Sequence, residues 1–222
     1  MYGKMLRAGV IGLGLLAAAA AARADVFVTS SGSGGFVSGA TSFTGSNCIG
    51  WQIMTGANPL QVTALGFWDF EANGLEVNVE VGIWQTGSAS LLANVTVPAG
   101  TSATLINDFR FVNLGSAILL QPNTLYTLGY RRASGGVLHD GDNRVGQTFA
   151  AGATITIPRM NNSGFGQPFG SPFGPMMPVQ NLGGSVPLTG PNFQFTIVPV
   201  PAPGAAAVLG MVGLAAVRRR RV

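Results

Sequence analysis

Side chains able to do chemistry are few in this chain. It has one cysteine, Cys48, and one histidine, His139. A nucleophilic cysteine needs a base within hydrogen-bond reach. One Cys and one His could form such a dyad, but no local signature supports it. Cys48 reads instead as a small buried apolar residue, or as one half of a disulfide between chains. The run His139-Asp140-Gly141-Asp142-Asn143 offers hard oxygen donors at Asp140, Asp142 and Asn143, the ligand type calcium takes six to eight of. It lacks a spaced third carboxylate and a bidentate glutamate, so a polar turn whose Asp and Asn bond their own backbone is the stronger reading. Zinc needs more His and Cys than the chain has. Asp69 with Glu71, and Glu76 with Glu80, are the carboxylate pairs to weigh for a hydrolase. Their place around a turn and on a strand's polar face reads as solvated charge. Trp51, Trp68 and Trp84 could stack on sugar rings, yet each lies in or beside an apolar run, where a core tryptophan is the default. Gly32, Gly34 and Gly35 lack the lysine and helix of a phosphate loop.

The elements that must position these residues are strands. Val77, Val79, Val81 and Ile83 alternate with Asn78, Glu80 and Gly82; Phe193, Phe195 and Ile197 alternate with Asn192, Gln194 and Thr196. Ile155 and Ile157, and Tyr126, Leu128 and Tyr130, make two further rows. Period two with β-branched and aromatic residues is the half-buried strand pattern. Turn residues divide the rows: Asn73-Gly74, Pro98-Ala99-Gly100, Gln121-Pro122-Asn123 and Ser134-Gly135-Gly136. Charged residues are 9% of the chain and glycines number 33, unlike a helical bundle. The expectation is an all-β chain with a single β-sandwich or jelly-roll-like domain over 25–197. Within it, 158–191 is rich in Gly, Pro, Asn and Ser and reads as a long surface loop.

Both ends differ from this domain. Lys4 and Arg7 precede an uncharged run from Ala8 to Ala22, closed by Ala22-Arg23-Ala24. That is the layout of a secretory signal peptide over 1–24, with the cut between Ala24 and Asp25. Val198-Pro199-Val200-Pro201-Ala202-Pro203-Gly204 is a proline break through which no helix or central strand runs. Ala205 to Val217 then carries no polar side chain, and Arg218, Arg219, Arg220 and Arg221 follow. As a helix this run spans about 20 Å, short for a bilayer core of about 30 Å. Its arginines would stay on the cytoplasmic side, leaving 25–197 outside. Between Asp25 and Gly204 there are five basic and eight acidic residues, so the +4 of the whole chain comes from its ends. A nucleic-acid binder needs its basic stripe on the folded domain, so no nucleic-acid partner is expected.

Proline break, short apolar helix and arginine cluster over 198–222, paired with a signal peptide, resemble the tails of bacterial PEP-CTERM proteins. The usual Pro-Glu-Pro stands here as Pro199-Val200-Pro201. The resemblance implies that signal peptidase and a membrane enzyme, exosortase, are transient partners. Exosortase would cut near the prolines and pass the protein to the cell surface or its exopolysaccharide matrix. Gly50-Trp51, Val62 to Asp69, Val81 to Trp84, Leu91 to Ala93, Val97 to Gly100, Leu125-Tyr126 and Gly190 to Phe195 are similar, in this order, to an uncharacterised β-sandwich domain often carried by such proteins. That resemblance implies a fold and no activity. The expected function is a non-catalytic exported surface or matrix protein without cofactor. A carbohydrate- or calcium-binding module is the alternative.

Overall fold

A computed structural model of the protein describes residues 24–30, 48–88, 90–132, 147–162, 180–181 and 190–200. Among these the regular structure is β apart from two 3-10 turns, Phe70–Ala72 and Thr86–Ser88. The expected terminal helices and the turn at 134–136 lie outside the described residues. One sheet has five strands in the order β1 (Asp25–Val26), β13 (Pro191–Ile197), β4 (Leu60–Trp68), β8 (Phe109–Leu120) and β7 (Thr104–Ile106). The other has six, ordered β12 (Gln180–Asn181), β11 (Ala153–Asn162), β3 (Cys48–Thr55), β9 (Leu125–Arg132), β5 (Val79–Gln85) and β6 (Ser90–Val97). A short pair, β2 (Val28–Ser30) with β10 (Gln147–Phe149), stands apart. The pairings among these strands are antiparallel.

The alternating rows set the core. Val79, Val81 and Ile83, then Tyr126, Leu128 and Tyr130, then Ile49, Trp51 and Ile53 are buried from the six-stranded sheet. Leu60, Val62, Leu65, Phe67, Phe193 and Phe195 meet them from the five-stranded sheet in one cluster. Phe67 of β4 and Tyr130 of β9 touch across the layers, ring centroids 4.7 Å apart. Burying each such side chain contributes about 1.5–3 kcal/mol. Val77 falls just before β5 and packs against the same cluster.

Several register shifts bend the sheets. Val62 faces Ile118 while Ala64 faces Asn113, so 114–117 bulge out of β8. A second shift falls between Ile83 and Trp84, opposite Ala93 and Leu91 of β6. Bulges increase twist and bend a strand, and β6 and β8 pack together where the two sheets approach.

The loop expected over 158–191 is shorter than its composition implies. β11 continues to Asn162, β12 holds Gln180–Asn181, and β13 begins at Pro191. Pro158 cannot donate to a ladder. It sits inside the register shift between Ile157 and Met160, where a missing N–H disrupts little.

Candidate functional site

The three tryptophans do not form a binding platform. Trp51 and Trp84 are fully enclosed and Trp68 is 4% exposed. Trp51 stacks on Phe27 with ring centroids 5.5 Å apart, and its Nε1 donates to the Pro191 carbonyl at 3.2 Å. Trp84 belongs to a small cluster with Cys48 and Leu91. That cluster is on the face of the six-stranded sheet opposite the core, beside a cross-strand row of glycines, Gly50, Gly129 and Gly82. A Cβ on Gly50 would lie 1.9 Å from the Leu128 carbonyl oxygen, so this row accepts no side chain there. The sequence pattern places tryptophans in strands but does not show that both faces of β3 and β5 are covered.

Asp69 is likewise not a solvated turn charge. Its carboxylate is buried against Arg110, whose Nε donates to Oδ2 at 2.6 Å. Arg110 Nη1 donates to the carbonyls of Thr101 and Ala103, each at 3.1 Å, and Nη2 to that of Ala72 at 3.2 Å. The Gly74 N–H donates to both Asp69 oxygens, at 3.0 and 3.1 Å. The turn so clamped is strained: Glu71 and Ala72 have φ of 61° and 57°. Gly74, φ +109°, lies so close to Gly100 that a Cβ would meet it at 2.9 Å. With its side chain fully buried and its oxygens engaged by Arg110 and the Gly74 N–H, the Asp69 carboxylate is out of reach of a substrate in solvent. Glu71 and Glu76 are exposed. Glu80 is paired with Arg131 on the strand beside it. The two carboxylate pairs are therefore parts of separate local structures.

Cys48 is 1% exposed. Burial pushes its thiol well above the usual range; Arg131 acts to lower it and Glu80 to raise it. A protonated, enclosed thiol is a poor nucleophile. His139, Asp140, Asp142 and Asn143 lie outside the described residues, as do Pro201 and Arg218 to Arg221. Among the described residues no group of three or more His, Cys, Asp and Glu could hold a metal ion, and no helix is long and apolar enough to cross a membrane.

The segments nearest the two expected cuts are firmly built in. Ala24 is half-buried and Asp25 exposed, with Asp25 paired to Phe195. Two residues on, Phe27 is fully buried, stacked on Phe193 at 4.9 Å and also against Trp51. The Asn192 side chain imitates a strand beside it: Nδ2 donates to the Val28 carbonyl at 2.8 Å, and Oδ1 accepts from the Val28 N–H at 3.0 Å. At the other end, β13 stops at Ile197 and Val198 donates to the Pro59 carbonyl at 2.9 Å. Val198, Pro199 and Val200 are exposed.

Charge is distributed unevenly along the strands. Asp69, Glu71, Glu76, Glu80, Asp108, Arg110, Arg131, Arg132 and Arg159 all lie toward one end, where β4 finishes at Trp68, β8 starts at Phe109 and β9 finishes at Arg132. The opposite end is built from the turns 56–59, 86–88, 121–124 and 150–152 and from the exit at 197–200. None of these carries a charged residue; Asp25, across from Phe195, is the nearest described charge. Of the exposed large hydrophobics, Leu119, Ile197, Val198 and Val200 lie at this uncharged end, Leu105 at the other, and Phe149, paired with Val28, between them. A groove of about 450 Å³ opens there, lined by Met54, Thr55, Asn58, Ala151, Thr154 and Ile197 among others. The signal was legible as runs without charge, 52–68, 111–130, 145–158 and 190–200, which the topology gathers partly at one end.

No family model, curated protein or solved structure matches the chain.

Proposed function

We propose that the protein is a non-catalytic exported cell-surface or extracellular-matrix protein, a jelly-roll-like β-sandwich delivered by a signal peptide and sorted through its tail by an exosortase-type enzyme. One observation carries this reading. Among the described residues the first strand begins at Asp25, directly after the expected signal peptide, and the last ends at Ile197, directly before the proline break. Cuts at both places would leave the ladder of β1, β13 and β4 whole. The absence of a catalytic role is supported by Asp69 and Glu80 each engaging an arginine, and by the enclosure of Cys48.

The tail reading is tested by replacing Arg218, Arg219, Arg220 and Arg221 with glutamine in the native host and fractionating the cells. The proposal expects the wild-type chain at the surface and the variant lost from it, either retained uncut or passed straight to the medium. Unchanged surface display and processing of the variant would refute it.

A further inference from the structure

The uncharged end is also the end from which the tail leaves, and the two facts together suggest what it faces. Ile197 lines the groove, and the chain continues through Val198, Pro199 and Val200 toward the apolar run Ala205 to Val217. The seven residues from Val198 to Gly204 can span at most about 25 Å when fully extended. Prolines at 199, 201 and 203 are the composition of an extended, semi-rigid spacer. While the apolar run is in a bilayer, this end of the domain stays within that distance of the headgroups. The charged end, a strand length further away, points outward.

The surface presented suits an interface between water and lipid. Val200 is 57% exposed, Leu119 49% and Val198 36%. Around them the turns carry Gly, Ala, Pro, Asn, Gln and Thr. Their backbone groups bond one another: Gly56 donates to the Gly152 carbonyl at 2.7 Å, and Asn123 to that of Gly56 at 3.0 Å. A charged side chain is costly to bring into the headgroup and acyl boundary, whereas apolar side chains gain by entering it. With a cut after Ala24, the charge of Asp25 would be balanced by the new α-amino group on the same residue. No cluster of Lys or Arg is present at this end among the described residues, so the attraction is apolar and indifferent to lipid charge.

We propose that this end, around Leu119, Ile197, Val198 and Val200, seats on the lipid surface while the tail is inserted, orienting the domain before the tail is cut. The inference rests on the membrane reading of the tail given above. The test uses the full chain carrying Cys48→Ala, reconstituted into phosphatidylcholine vesicles containing a lipid with a nitroxide near its headgroup. A fluorophore is placed at Asn58→Cys, at the uncharged end, or at Glu76→Cys, at the charged end. The native chain, with its enclosed Cys48 retained, serves if Cys48→Ala does not fold. Seating to a depth of about 5–10 Å predicts quenching at 58 about twofold or more above that at 76. It also predicts that Leu119→Ser with Val200→Ser lowers the value at 58 toward that at 76 while the chain still floats with the vesicles. Equal quenching at the two positions would overturn the proposal. So would quenching at 58 that Leu119→Ser and Val200→Ser leave unchanged, because a tether alone would then explain it. Failure of the chain to float with vesicles at all would instead remove the membrane reading of the tail, and this inference with it.

Discussion

The two ends of the sheets solve one problem by opposite means. Each must satisfy the backbone groups of several crossing turns. At the charged end, Arg110 and Asp69 do this with a buried ion pair that also ties down Ala72, Gly74, Thr101 and Ala103. At the uncharged end, neutral groups suffice. The Thr55 hydroxyl donates to the Gln121 carbonyl at 2.6 Å and accepts from the Thr124 N–H at 2.9 Å, and the Gln121 N–H reaches the Tyr126 hydroxyl at 2.7 Å. A buried ion pair is costly to break and need not contribute much net stability when whole. Neutral hydrogen bonds are individually weak but leave no charge behind when lost. The difference teaches that charge here is confined where structure needs it, leaving the end that carries the tail apolar and tolerant.

The comparison breaks first at Arg110. Arg110→Ala should lower unfolding free energy by about 3–5 kcal/mol in urea titration, because Asp69 is left buried without its partner. Replacing both, as Asp69→Leu with Arg110→Met, should recover part of that loss. A loss equal to the sum of the single variants would mean that the ion pair is not the unit.

Cys48, where β3 starts at the charged end, gives a pH test. Its thiol is raised by burial, so the unfolded chain loses that proton first as pH rises. Stability from this group is complete below the ordinary thiol range near pH 8.5 and declines above it, by at most about 1.4 kcal/mol per pH unit. The decline should be smaller in Cys48→Ala, measured by urea unfolding at several values from pH 8 upward.

At the uncharged end the effects shrink. Thr55→Val removes one neutral hydroxyl and should cost about 1 kcal/mol. Asn58→Lys, on an exposed turn, should change stability by no more than about 0.5 kcal/mol, as read by thermal unfolding. A cost as large as that of Arg110→Ala at either position would erase the contrast between the ends.

Much of this architecture was legible in the sequence, because period two is a local property. The rows at Val79 to Ile83, Tyr126 to Tyr130 and Phe193 to Phe195 became strands facing one core, while Ile197 at the end of its row is exposed. Asn73-Gly74 and Pro98 to Gly100 became turns, joined by a bridge between Leu75 and Gly100. The misses depend on chain topology. Asp69 and Arg110 are 41 residues apart, and only the adjacency of β4 and β8 brings them together. The covered outer face that encloses Trp84 arises from the register of β3, β9 and β5, which no single strand announces. Pro158 suggested a loop because a proline in an interior strand normally does, and the register shift beside it was not readable from composition.

Under the proposed function, the folded domain is what remains after cuts beside β1 and β13. The most direct measurement is the intact mass of the protein extracted from the surface of its native host. A chain starting at Asp25 and ending between Pro199 and Gly204 is the predicted result. A chain that starts at Asp25 but still ends at Val222 would contradict exosortase processing, and one that retains Met1 would contradict export through a cleaved signal.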